Sequence, residues 1–217
     1  MAKPKLSIMD QLRDVHLDAL QEICNIGMGH AATALSQMIG KTVNLNVPKV
    51  TLAGLDQVPD IIGGAEQVVV GIYLQVWGDF RGNLLLIFPR DSAQNLNALL
   101  TGQPATSELI LSEIHASALK EVANILAGAY LGAMGNLLGL SLLPSVPSLA
   151  FDMAGAIVDY ILIELGQESD LTLVVETQFF GMGSTIRGHF FLLPDPNSLK
   201  LILEASRVEP LIRSGRD

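Results

Sequence analysis

Cysteine occurs once in the chain, at Cys24, so no disulfide can close within it and a reducing compartment is the expected setting. Basic residues are also scarce: 13 Lys and Arg stand against 22 Asp and Glu, a formal charge of -9. Long-range electrostatics therefore oppose phosphate backbones and anionic lipid surfaces, which sets nucleic-acid binding aside. Charged residues of both signs make up only 16% of the 217, and apolar residues 49%, which excludes a disordered or fibrous chain and supplies a sizeable core. The opening MAKPKLSIMD holds two lysines and no apolar stretch of signal-peptide length, leaving the cytoplasm as the expected location. Residues 122–151 contain no Asp, Glu, Lys or Arg and include Gly128-Ala-Tyr-Leu-Gly132, a small-xxx-small pattern found between membrane helices. Asn124, Asn136, Ser141, Pro144 and Pro147 interrupt that run and no basic cluster flanks it, so a buried helix followed by a strand is expected rather than membrane insertion.

The strongest feature that is present is an internal repeat. Asp18-Ala-Leu-Gln-Glu22-Ile-Cys-Asn25, continuing to Pro48, aligns without a gap on Ser117-Ala-Leu-Lys-Glu121-Val-Ala-Asn124, continuing to Pro147. Gly40 and Gly139 share the same offset, and Arg81-Gly-Asn-Leu-Leu-Leu-Ile-Phe-Pro89 is echoed by Arg187-Gly-His-Phe-Phe-Leu-Leu-Pro194. Two halves, about 8–104 and 105–206, are the expectation, joined as one pseudo-twofold domain. The loop Thr101-Gly-Gln-Pro-Ala-Thr-Ser107 is too short and too polar to be a flexible spacer between them.

Hydrophobic periodicity places a long helix at the start of each half, over 8–39 and 107–138, the second opening at Ser112. Strands follow at 42–48, 67–77 and 82–89 in the first half, and at 171–180 and 188–193 in the second. Short helices are expected at 56–62, 91–100, 154–166 and 196–206. The expected class is α+β: an antiparallel sheet covered by helices, with the two long helices carrying the repeated motif. Gly181-Met-Gly-Ser-Thr lacks the Lys-Ser/Thr ending of a phosphate-binding loop and reads as a hairpin turn.

On a helix, residues 18, 22, 25 and 29 fall within about 60° of one another and form one polar stripe: Asp18, Glu22, Asn25 and a glycine gap. Leu17, Leu20, Cys24, Gly27, Ala31 and Leu35 make the opposite, inward face. The second helix repeats the pattern, with Ser117, Glu121, Asn124 and Gly128 outward and Leu119, Val122, Ala123, Leu126 and Tyr130 inward. A single polar stripe is ordinarily a solvated helix face. Two facts argue for more: Asn is a mediocre helix former, and it recurs in the same place, tied to a proline 23 residues on.

The chemistry open to this stripe is narrow. No Ser-His or Cys-His pair marks an activated nucleophile, and one carboxylate per stripe cannot work as a glycosidase-type pair. His16, His30, His115 and His189 are scattered without metal-ligand spacing, so no metal site is expected, and Cys24 faces inward as a small hydrophobe. An Asn amide, however, orients a water well without any pKa tuning. That suffices for a reactive substrate such as an acyl phosphate, where positioning supplies much of the acceleration. The Glu would act as a docking charge toward a basic residue of a partner.

At these residues the sequence resembles the CheC family of chemotaxis phosphatases, which includes CheX and the flagellar-switch protein FliY. The family pattern is Asp or Ser, three residues, Glu, two residues, Asn, then twenty-two residues and Pro. It is complete twice here, as Asp18, Glu22, Asn25, Pro48 and as Ser117, Glu121, Asn124, Pro147. Together with Asn25-Ile-Gly-Met-Gly-His-Ala-Ala-Thr-Ala-Leu-Ser36, the resemblance extends over essentially the full length of CheC. It implies dephosphorylation of the response regulator CheY at its phospho-aspartate. Asn25 and Asn124 would position the attacking water, Glu22 and Glu121 would pair with the regulator's lysine, and the regulator would supply the Mg²⁺. It further implies binding of CheD, a receptor-modifying deamidase, through a helix in the second half that Ala154-Gly-Ala-Ile-Val-Asp159 resembles, with Gly155, Ala156 and Asp159 as the candidate contacts. With only the polar tail 207–217 after the last expected helix, a FliY-type protein with its additional switch domain is not the expectation. The competing class is a duplicated adaptor that binds CheD or a regulator without turnover.

Overall fold

The computed structural model describes residues 14–102, 112–164, 171–181, 184–195, 197–198 and 201. In chain order its elements are α1 (Asp14–Ile39), β1 (Asn44–Gly54), a 3₁₀ turn (Leu55–Gln57) running into α2 (Val58–Ile61), β2 (Val68–Gly78), β3 (Gly82–Pro89) and α3 (Arg90–Thr101). The second half continues with α4 (Glu113–Leu138), β4 (Leu142–Pro144), β5 (Ser148–Met153), α5 (Ala154–Glu164), β6 (Leu171–Gly181) and β7 (Ser184–Pro194). The parts of the expected helices that fall on 8–13, 107–111 and 165–166 lie outside the described residues, as does most of 196–206.

The two long helices stop where the repeat supplies a glycine. Gly40 (φ 70°) and Gly139 (φ 68°) are both left-handed, a conformation that side chains disfavour, and the Gly40 N–H returns to the Ser36 carbonyl at 2.9 Å. The start of α4 is capped by Ser112, whose hydroxyl accepts the His115 N–H at 3.3 Å.

The prolines shape what comes next. The strand expected at 42–48 does not end at Pro48 but runs on to Gly54, because the ladder with β6 absorbs the missing N–H by slipping register between Asn46 and Lys49. In the second half the corresponding segment is broken in two. β4 and β5 both pair with β2, and the gap before Pro147 is held to that strand by Ser145, whose N–H donates to Gln75 O at 2.8 Å and whose hydroxyl accepts the Gln75 N–H at 2.9 Å. The charge-free run 122–151 is therefore the body of α4 followed by two short strands. None of the described helices is long and apolar enough to cross a membrane.

All strands join one antiparallel sheet in the order β1-β6-β7-β3-β2-β4, with β5 also on β2. The order reads the same from either edge when β1 is matched with β4, β6 with β2, and β7 with β3. β6 and β7 form a hairpin across Gly181 and Ser184, at the turn expected there. β3 lies at the centre, and alternate residues feed two cores, which is why its apolar run Leu84 to Phe88 is buried on both faces. One core packs Val70, Ile72, Leu74, Leu84, Leu86, Phe88, Phe190 and Leu192 under α1, α3 and α4; the other packs Val69, Leu85, Ile87, Phe191 and Leu193 under α2 and α5.

α1 and α4 lie against each other as well as on the sheet. They meet closely at Gly27, where a Cβ would stand 3.0 Å from Tyr130 Cα and 3.1 Å from the Ala129 carbonyl oxygen. Tyr130 then anchors α4 to β7 through an edge-on contact with Phe190, ring centroids 4.7 Å apart. Such a pair adds about 1 kcal/mol beyond the area it buries.

Candidate functional site

The fold places the repeated stripe where the helical wheel puts it. Asp18, Glu22, Asn25 and Gly29 are exposed on α1, and Ser117, Glu121, Asn124 and Gly128 are exposed on α4. The opposite faces are sealed: Cys24, Ala31 and Leu35 are buried on α1, as are Leu119, Val122, Ala123, Leu126 and Tyr130 on α4. That amphipathic burial is what aims the polar residues outward, since rotating either helix would drive a carboxylate into the core. Gly27, on the same inward face, is buried too, and the side chains of Leu17 and Leu20 lie outside the described residues.

Glu22, Asn25, Glu121 and Asn124 make no side-chain hydrogen bond or ion pair with any described residue. Each site therefore has a free carboxylate one turn before a free amide, on a helix whose other face is fixed. Pro147 is buried at the entry to β5, one short strand beyond α4, and Pro48 sits in the slipped register of β1, the strand that follows α1. Among the described residues no group of three or more His, Cys, Asp and Glu is arranged to hold a metal ion. His30 is exposed, His115 and His189 are half-buried on separate elements, and the side chain of His16 is not described.

Between the two sites lies a pair that the wheel placed inward without revealing its partner. The Cys24 thiol, next to Asn25, is fully buried beside the Tyr130 hydroxyl of the facing helix. That hydroxyl has no hydrogen bond of standard geometry among the described residues, though the two groups influence each other's titration. Burial pushes the Cys24 thiol from 9.0 up to about 12, with the tyrosine contact opposing the rise, and burial likewise raises Tyr130. The thiolate, not the thiol, is the nucleophile. Cys24 is therefore expected to stay unreactive toward a thiol reagent at pH 8 in the folded protein and to react fully once denatured. Because both folded-state values lie above the unfolded ones, their stabilising contribution is intact below pH 9 and falls as the pH rises toward 12. A denaturant midpoint that holds level across that alkaline range would contradict this.

The segment 154–159 forms the first half of α5. Ile157 and Ile161 are packed into the second core, so they are a buried face as their spacing suggests, while Asp159, Tyr160 and Ile163 are exposed. Gly155 donates its N–H to Ala65 O at 2.9 Å, and Ala156 lines an open cleft of about 780 Å³ between α5, β2 and β5. Periodicity could not find this cleft, because it depends on how far α5 fails to cover the sheet.

This architecture, a helix-covered antiparallel sheet, is a fold shared with solved proteins of the flagellar switch. The crystal structure of Thermotoga maritima FliY superposes with a TM-score of 0.72 at 22% identity, covering 90% of this chain and 97% of that one. The CheC-like family model matches at two places, residues 15–52 and 114–150, each containing one motif. The CheY-P phosphatase CheC of Bacillus subtilis is 36% identical over 204 residues, 92% of this chain and 98% of the relative. The flagellar motor switch phosphatase FliY of the same organism is 30% identical over 128 residues, 58% of this chain and 33% of that protein. The chain belongs to the CheC family.

Proposed function

We propose that this protein hydrolyses the aspartyl phosphate of a CheY-type chemotaxis response regulator, using two sites that act in the same way. The observation that carries this reading is the duplicated, exposed and unpartnered Glu and Asn stripe on two helices held rigidly against one core. Its relative from Bacillus subtilis bears the name CheY-P phosphatase.

Asn25 or Asn124 enters the regulator's active site and holds a water in line with the acyl phosphate through its amide donors and acceptor. The water oxygen bonds to phosphorus as the bond to the aspartyl oxygen breaks, releasing inorganic phosphate and a free carboxylate. Glu22 or Glu121 pairs with the regulator's lysine and sets the register of insertion. Mg²⁺ bound to the regulator would supply charge neutralisation at the phosphoryl group, and this chain would contribute geometry and docking rather than a cofactor of its own.

The two sites derive from two repeats of one domain. The sheet order that survives exchange of the halves and the double family match support this reading. A second partner, CheD, would dock on α5 through Gly155, Ala156 and Asp159; the exposed Asp159, Tyr160 and Ile163 beside the cleft favour it. Both partners place the protein in the cytoplasm.

The direct test adds substoichiometric protein to a CheY-type regulator phosphorylated at its aspartate in Mg²⁺ and follows inorganic phosphate. Faster release with multiple turnovers is expected. A stable complex with no acceleration would overturn the phosphatase reading and leave an adaptor.

A further inference from the structure

Most glycines of this fold whose surroundings are described fall into two groups. Gly40, Gly63, Gly64, Gly78, Gly102 and Gly139 have positive φ, and at Gly27, Gly71, Gly82, Gly135, Gly155 and Gly188 an added Cβ would come within 3.3 Å of another group. Each of these has a reason internal to the molecule. Among the glycines whose surroundings are described, three lack one: Gly29, Gly128 and Gly132 sit mid-helix without positive φ, and an added Cβ would meet nothing within 4 Å.

All three are exposed and lie just C-terminal to the motif asparagines, Gly29 on α1 and Gly128 and Gly132 on α4. A glycine in an exposed helix interior lowers the folding equilibrium constant about 5-fold relative to alanine. The fold thus bears that loss at three positions from which it draws nothing, two of them at the same place in the repeat. Measured along either axis, the carboxylate stands about 4.5 Å before the Asn and the first bare glycine about 6 Å after it, with Gly132 about 6 Å further along α4. What absence of a Cβ does supply is room for another main chain to approach the helix backbone.

We infer that Gly29, Gly128 and Gly132 are clearance positions that let the main chain of the phosphorylated regulator, beside its acyl phosphate, settle onto the helix so that the Asn amide reaches the phosphorus. This rests on the proposed phosphatase reading and adds its steric determinant. Glu22 and Glu121 hold one side of the contact by charge, and the bare helix surface sets the depth of insertion on the other.

The test is a pair of triple variants, Gly29→Ala/Gly128→Ala/Gly132→Ala and Gly29→Leu/Gly128→Leu/Gly132→Leu. Each is assayed for its unfolding midpoint, phosphate release, and binding to the same regulator activated by beryllofluoride, which stands in for the phosphoryl group. The alanine variant should unfold at a higher denaturant concentration than wild type, because alanine is the better helix former and its Cβ meets no neighbour. Clearance predicts that the leucine variant binds and accelerates release at least about 10-fold less well, the scale of a steric misfit at a reacting site, with alanine in between. Leucine variants that bind and turn over like wild type would overturn the inference alone. So would a lowered unfolding midpoint of the alanine variant, which would reveal a fold role, or a lost rate with unchanged binding. If wild type itself neither binds nor accelerates, the phosphatase reading fails and carries this inference with it.

Discussion

Replacing Asn25 and Asn124 together with alanine is expected to return phosphate release to the regulator's own spontaneous rate, a loss of about 100-fold or more in acceleration per site, as when a positioned group is removed from a reacting centre. Each single variant should keep the contribution of the other stripe, since the two asparagines lie on different helices and share no hydrogen-bond partner among the described residues. Fold loss does not confuse the result. Both residues are exposed, and alanine is the better helix former by about 0.6 kcal/mol each, so the double variant should be slightly more stable than wild type. Single-turnover phosphate release on the four proteins, with an unfolding curve for each, checks both halves of the expectation. Full acceleration in the double variant would remove the asparagines from the mechanism.

Gly27→Val should do the opposite, lowering stability and disturbing both sites together. Valine improves on glycine in a helix by about 0.4 kcal/mol. Against that, its Cβ would be driven to 3.0 Å from Tyr130 Cα and 3.1 Å from the Ala129 carbonyl oxygen, contacts with backbone that can be relieved only by moving α1 from α4. Overpacking of this kind costs about 1–3 kcal/mol, so the clash outweighs the propensity gain. The variant is expected to unfold about 2 kcal/mol more easily in urea, a net of those two effects, and to lose phosphatase rate in both the Asn25→Ala and the Asn124→Ala backgrounds. A stability equal to wild type would mean that the helices do not meet as described. The contrast with Gly29, two residues away, is between a glycine the fold requires and one it does not.

The repeat was the most legible feature of the chain, because a fixed offset keeps Glu, Asn, Gly and Pro in register without reference to any contact. The helix faces were legible for a related reason: 3.6-residue periodicity sorts Asn25 from Cys24 and Asn124 from Val122 before any neighbour is known. Sequence pattern alone makes the C-terminal end of β1 too short. Proline ended it in the pattern, but a register slip against β6 let the ladder continue, and a slip is a property of two strands rather than one. The division of 142–153 into β4 and β5 is similar, since both are defined by pairing with β2, about 70 residues earlier in the chain, as the Gln75 and Ser145 bonds illustrate.

By itself the sequence determined the class of fold and the residue types that each stripe presents, both of which follow from local periodicity and composition. Only the tertiary structure decided which glycines the fold needs, that Cys24 is closed in against Tyr130, and that the cleft beside α5 is left open. These depend on the distance between elements remote in sequence, and a pattern along one chain carries no measure of that distance.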